Sequence, residues 1–280
     1  MRSKTIKLLA VLLLLCTVFA MSSCGLFSGD SEETETTTML ILAATPIPDS
    51  KEGVVNYFNT LMNGVKAARP GVEKEVKREL SSVKASNAKG DIPEVGSLIA
   101  IAKGYIKDLE TKKDTAEYGA NLNDFLPLKG TGSVSLLTAD DVISATCADE
   151  EIERNGQKET DLKYYRLTLK LDPNSDMAKI FDIDGDKSAA LDKFQDYTDN
   201  VTVSDYGVEF TEDCSVTLKI FKEKDYVIEA VYVKSMVISS DVVFNGELAD
   251  WGEANVSFVL KETTVYKNFV WEEPTTVPAA

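Results

Sequence analysis

Residues 165–171 read Tyr165-Arg166-Leu167-Thr168-Leu169-Lys170-Leu171. Large apolar side chains alternate with polar ones without a break. A period of two puts every apolar residue on one side of an extended chain, as in a half-buried strand. The same habit recurs downstream. Val216, Leu218 and Ile220 alternate with Thr217, Lys219 and Phe221, and residues 227–233, 237–244 and 255–265 continue it. Short polar turns separate these runs, among them Lys222-Glu223-Lys224-Asp225 and Asn245-Gly246-Glu247. Consecutive strands joined by short turns predict an antiparallel meander with one apolar and one wet face.

The apolar face needs a cover. Upstream, Val54, Phe58, Leu61 and Val65 recur at helical spacing. This predicts a helix over 49–65, capped by Asp49 with Glu52 completing a capping box. Arg69-Pro70-Gly71 ends it. A second helix is expected at 95–109, with Leu98, Ile99, Ala102 and Ile106 on one face, and a short one within 186–198. Residues 72–83 fit either a helix or a strand with a charged outer face. Residues 110–124 are expected to be irregular, and Lys129-Gly130-Thr131-Gly132-Ser133 reads as a glycine hinge. The predicted fold class is α+β, an antiparallel, curved β-sheet meander packed against two N-terminal amphipathic helices.

The chain opens with Arg2, Lys4 and Lys7, then an uncharged run from 8 to 21, then Ser22-Ser23-Cys24-Gly25. This is the plan of an export signal, and the run is shorter than the roughly 20 residues a membrane span needs. Ser23-Cys24-Gly25 resembles the lipobox of bacterial lipoproteins. The resemblance implies cleavage before Cys24, a diacylglyceryl thioether (with palmitate-type acyl chains) on that cysteine, and display on the outer face of the cell membrane. Residues 1–23 are then the signal peptide and 24–48 the lipidated cysteine and an acidic Thr/Glu-rich tether. Residues 49–272 form one α+β domain, with a helical half at 49–128 and a β-rich half at 129–272. Residues 273–280 form a flexible tail. The apolar run at 39–44 is a first strand or a segment lying on the domain.

Without Arg2, Lys4 and Lys7, 27 basic residues face 46 acidic ones, a net charge of −19. Nucleic-acid binding needs basic side chains to neutralise phosphates and is excluded on this balance. The acidity is uneven. Residues 126–280 hold 30 acids and 15 bases, whereas 49–125 are neutral.

Three stretches carry a second resemblance. Leu137-Thr138-Ala139-Asp140-Asp141-Val142-Ile143-Ser144-Ala145-Thr146-Cys147 is followed by an alternating strand. Asp213-Cys214-Ser215-Val216 opens a run to Met236, followed by 255–269. With Val55-Asn56-Tyr57-Phe58-Asn59, these resemble a group of uncharacterised exported proteins from clostridial bacteria. In that group the segment after the first helix is extended, which implies a strand at 72–83. The group supplies no activity and no functional residues.

The chemistry is mostly subtractive. There is no histidine, so Ser-His-Asp and Cys-His catalysis and His-based zinc sites are excluded. Ser81-x-x-Lys84 lacks the companion motifs of penicillin-binding enzymes. Cys147 and Cys214 lie in an exported context that permits a disulfide between them, and two buried thiols are the alternative. Asp182, Asp184 and Asp186 have metal-ligand spacing, filling positions 1, 3 and 5 of a calcium loop. Lys187 and Lys193 stand where that loop needs glycine and a bidentate glutamate. An acidic turn in which Asp186 or Ser188 caps a helix is the other reading. No cofactor is expected. The expectation is a non-enzymatic lipoprotein, held to the membrane by its N-terminal lipid, that binds an apolar ligand or a surface protein. The alternative is a structural or interaction module with a fully packed core.

Overall fold

A computed structural model describes residues 47–92, 111–154, 157–183 and 201–272. Helix α1 spans Lys51–Ala68. Its cap is Ser50 rather than the expected Asp49. The Ser50 hydroxyl accepts from Gly53 N at 3.1 Å, which leaves Glu52 in the first turn, where the helix dipole favours a carboxylate. Arg69 closes the helix in the left-handed conformation, its N–H donating to Val65 O at 3.0 Å. All four residues of the expected apolar stripe, Val54, Phe58, Leu61 and Val65, are buried.

Nine strands follow among the described residues: β1 (Gly71–Asn87), β2 (Gly90–Asp91), β3 (Lys112–Ala116), β4 (Val142–Arg154), β5 (Gln157–Leu171), β6 (Val201–Phe210), β7 (Ser215–Phe221), β8 (Tyr226–Phe244) and β9 (Glu253–Val270). The sheet order is β2-β1-β9-β8-β7-β5-β4, and all pairs are antiparallel. β3 lies beside the start of β1, and β6 lies beside the far half of β8, beyond the end of β7. The expected antiparallel hairpins occur at β4-β5 and along β7-β8-β9, but β6 interrupts the meander between β5 and β7 and pairs with β8; the strand expected at 72–83 lies within β1.

Several expectations change. Among the described residues the fold is mostly β, with one N-terminal α-helix, and the sheet is neither closed nor strongly curled, so it does not form the expected curved enclosure. Residues 227–233 and 237–244 belong to a single 19-residue strand, because nothing in Lys234-Ser235-Met236 turns the chain. Residues 112–116, expected to be irregular, form β3 by pairing with the open edge of β1 despite having no apolar alternation. The signal, the tether, the run at 39–44, the helices expected at 95–109 and within 186–198, and the tail at 273–280 lie outside the described residues. Among the described residues no helix is long and apolar enough to cross a membrane.

α1 lies on β4, β5 and β8. Val55, Phe58, Met62 and Val65 meet Leu167, Leu169, Val216, Leu218 and Ile220 from the sheet, all with no exposed surface. Leu122, Leu126, Val134 and Leu137 fill the flank. Polar ties hold this flank on the helix. Asn59 donates to Leu137 O at 2.7 Å, and Val134 N donates to Asn63 Oδ1 at 2.7 Å. The helix–sheet space is therefore packed with side chains.

Candidate ligand-binding cleft

Directly opposed residues in an antiparallel ladder share a face. The register pairs Lys74 with Tyr266, Val76 with Thr264 and Arg78 with Glu262 across β1 and β9. It pairs Tyr232 with Thr264 and Lys234 with Glu262 across β8 and β9. β3 adds Asp114 opposite Lys74 and Lys112 opposite Val76. All these side chains thus rise from the face that α1 covers further along. Tyr232 and Tyr266 belong to the packed core, whereas the next positions outward are charged. Together they form a polar belt across three strands.

Glu262 is the centre of the belt. Its carboxylate accepts from Arg78 Nε at 2.6 Å and stands 3.2 Å from Lys234 Nζ, and all three side chains are at most 14% exposed. Burial works to raise the Glu262 pKa, but Lys234 and Arg78 outweigh it and hold the carboxyl below its usual range.

Beside the belt is a cleft of about 310 Å³. Its floor is Tyr232, Tyr266 and Thr264, and its far wall is Pro127, Lys129, Phe181 and Asp182. Lys74 reaches across, donating to Phe125 O at 3.2 Å with its ammonium 5.5 Å from the Phe125 ring and 5.7 Å from the Tyr266 ring. Burial, with Lys129 nearby, lowers the Lys74 pKa. Tyr266 donates to Phe125 O at 3.3 Å. Tyr232, 3% exposed, packs edge-on against Tyr266, and its hydroxyl has no hydrogen-bond partner among the described residues.

The far wall is held by a lysine. Lys66 in the last turn of α1 is 4% exposed. Its ammonium donates to the carbonyls of Pro127 (2.9 Å), Leu128 (3.1 Å), Thr131 (3.0 Å) and Ser133 (3.0 Å), with Asn123 O at 3.4 Å. Burial pushes its pKa down to about 8, against the pull of Asp182 and Asp124. The expected glycine hinge at 129–133 is therefore a loop wound around a buried cation. The reason is elementary: a buried ammonium needs acceptors, and a turning loop presents several carbonyls to one point.

Of the residues singled out from sequence, Asp182 alone reaches the cleft, where Oδ1 accepts from Lys129 N at 2.8 Å. Asp184, Asp186 and Cys24 lie outside the described residues. No group of three metal-ligating side chains occurs among the described residues. Cys147 and Cys214 are free thiols, which corrects the disulfide reading. Cys147 opposes Leu167 on one side of β5, and Cys214 O accepts from Leu171 N on the other. They are thus separated by roughly 10 Å across the sheet and roughly 13 Å along it, beyond disulfide reach. The buried Cys214 thiol instead exchanges 3.3 Å hydrogen bonds with the Ser235 backbone.

Sequence reasoning missed Lys74, Arg78, Lys234, Glu262 and Tyr232. A signal for three of them exists. Arg78 follows Val76 and precedes Leu80, Lys234 follows Tyr232 and precedes Met236, and Glu262 follows Leu260. Each charge interrupts the apolar phase of its strand, and a charge on the buried phase needs a partner or a task. No family model, curated protein or solved structure matches this chain.

Proposed function

We propose that this chain is a membrane-anchored extracytoplasmic lipoprotein, tethered through Cys24, whose folded domain binds without catalysing a reaction. The anchoring rests on the Ser23-Cys24-Gly25 signal. The binding rests on one observation: a cleft of about 310 Å³ with charged walls and a floor residue, Tyr232, whose buried hydroxyl has no hydrogen-bond partner among the described residues. Native pockets of this size that converge polar groups on an apolar floor are the usual places for small ligands. The apolar ligand expected between sheet and helix finds little room, because that space is filled. The same filling favours the second reading, an interaction module with a packed core.

Native mass spectrometry of the full chain released from detergent separates these readings. A small polar molecule retained by the wild type and lost in Tyr232→Phe supports the cleft. A retained lipid unaffected by that change supports an apolar carrier. No retained mass, with cleft amide signals unmoved by any small-molecule pool, leaves the module. The anchor is tested by metabolic labelling: Cys24→Ser should incorporate no palmitate, and labelling equal to the wild type would sink the lipoprotein reading.

A further inference from the structure

The chemistry of the cleft specifies its ligand further, on the reading that the cleft is a ligand site. The whole chain carries −16, yet this surface reverses the sign. Among the described lining residues, Lys74, Arg78, Lys112, Lys129 and Lys234 face Asp114, Asp182 and Glu262. Lys113 also borders the cleft, but its ammonium is directed away from it, 3.8 Å from its ladder partner Glu75, which lies one residue along from Lys74 and so on the opposite face of β1. Glu262 is engaged by two cations, and one Asp182 oxygen is engaged by a backbone N–H. A half-buried Lys74 beside Lys129 is a like-charge juxtaposition in a partly desolvated place, which an anion between them relieves.

The Tyr232 hydroxyl supplies the independent sign of a ligand. Among the described residues this buried hydroxyl has no partner; such a group carries a desolvation cost, and native structures seldom leave one without a reason. Tyrosine O–H is a donor in need of an acceptor, and an anion offers one. The volume admits one or two phosphate groups or a compact polycarboxylate, and is too small for a nucleic-acid strand.

We propose that the cleft binds a small polyanion bearing phosphate or carboxylate groups. Lys74, Lys112, Lys129, Lys234 and Arg78 form its electrostatic wall, and the Tyr232 hydroxyl donates to it. The phosphate and carboxylate sources differ in geometry but share this recognition.

The test titrates pyrophosphate, citrate and neutral glucose separately into the full chain in a zwitterionic detergent, read by calorimetry and by amide shifts. One or both anions should bind at one site, shift amides of 74–78, 127–129 and 262–266, and weaken as salt rises. Pyrophosphate alone points to a phosphate source, citrate alone to a carboxylate source. Lys112→Gln should weaken binding about tenfold, the change expected on losing one charge-assisted contact, while Lys113→Gln should leave it unchanged. Tyr232→Phe should weaken binding while leaving the unliganded protein as stable or more stable, because it removes an unsatisfied buried group. Equal weakening by Lys112→Gln and Lys113→Gln would reduce the effect to general surface charge and overturn the proposal. Glucose binding in the cleft with neither anion binding would keep the cleft as a ligand site and overturn the anion. No response of the cleft amides to any probe at millimolar concentration would overturn the proposal, and the mass measurement above then decides the cleft itself.

Discussion

Two bands of one sheet face lie side by side and behave in opposite ways. In the first, Leu167, Leu169, Val216, Leu218 and Ala230 are sealed under α1. In the second, Lys234, four residues beyond Ala230 on β8, and Arg78 and Glu262 on the neighbouring β1 and β9 occupy the inward positions. Both bands have the same backbone register and the same twofold alternation. They differ in what lies over them. A helix brings only apolar side chains to the first, so burial stabilises it at roughly 25 cal/mol per Å² of apolar surface. The second meets a loop whose own carbonyls already turn towards Lys66, leaving a space that charged groups share. A sheet face is therefore not one environment, and its function sits where the cover changes.

The largest effect should come from breaking the sealed band. Phe58 has no exposed surface, so Phe58→Ala should cost about 3–5 kcal/mol in urea unfolding. A loss under about 1 kcal/mol would mean that α1 is not packed as described.

Breaking the belt should come next. Glu262→Ala leaves Arg78 and Lys234 facing each other without their carboxylate and should cost about 3 kcal/mol. Replacing all three with Met or Leu should restore much of that loss, because matched apolar side chains avoid the desolvation of the ions. If the triple variant is no more stable than Glu262→Ala, the belt is more than a local charge balance.

Lys66→Met sharpens the contrast from the other side. The change keeps the length but strips the donor from several carbonyls, with an expected cost of roughly 2 kcal/mol. Hydrogen exchange should rise locally over 123–133 while α1 stays protected. Uniform acceleration across the domain would show that the loop is not held by this lysine.

Acid provides a smaller handle outside both bands. Burial works to raise the Asp141 pKa, but hydrogen bonds from Lys179 and Thr138 outweigh it and hold it below the ordinary 3.8. A folded pKa below the unfolded one means that this stabilisation is complete above 3.8 and disappears as pH falls through the lower, folded value. Lys179 is about a third exposed, so solvent screening limits the contribution to about 1 kcal/mol. Stability measured between pH 5 and pH 2 should fall less steeply in Asp141→Asn, and parallel curves would remove Asp141 from the acid response.

The smallest expected effect is none. Two thiols held apart on opposite sides of β5 mean that a reductant should leave the melting temperature unchanged. Both should react with a thiol reagent in the unfolded, unreduced chain, and an absence of reactive thiols there would restore the bridge.

Much of the fold was legible in the residues. The alternation in β5, β7, β8 and β9 is written in single residues such as Leu167, Leu169 and Leu218, because a strand buried on one face leaves no other pattern. The stripe of α1 was legible for the same reason, at the helical period. β3 was not, because Lys112-Lys113-Asp114-Thr115 carries no apolar alternation, and its strand exists only because β1 offers an unpaired edge.

What the sequence determined by itself was local and periodic: most of the strands with twofold alternation, where α1 lies, and the excess of acid. What only the tertiary structure decided was sign and company. The described lining of the cleft holds more basic than acidic side chains in an acidic protein, Lys66 belongs to a loop some sixty residues away, and Cys147 and Cys214 stand apart. The physical reason is that alternation records whether a side chain faces inward. It does not record what the rest of the chain brings to meet it, and charges, hydroxyls and thiols take their roles from that meeting.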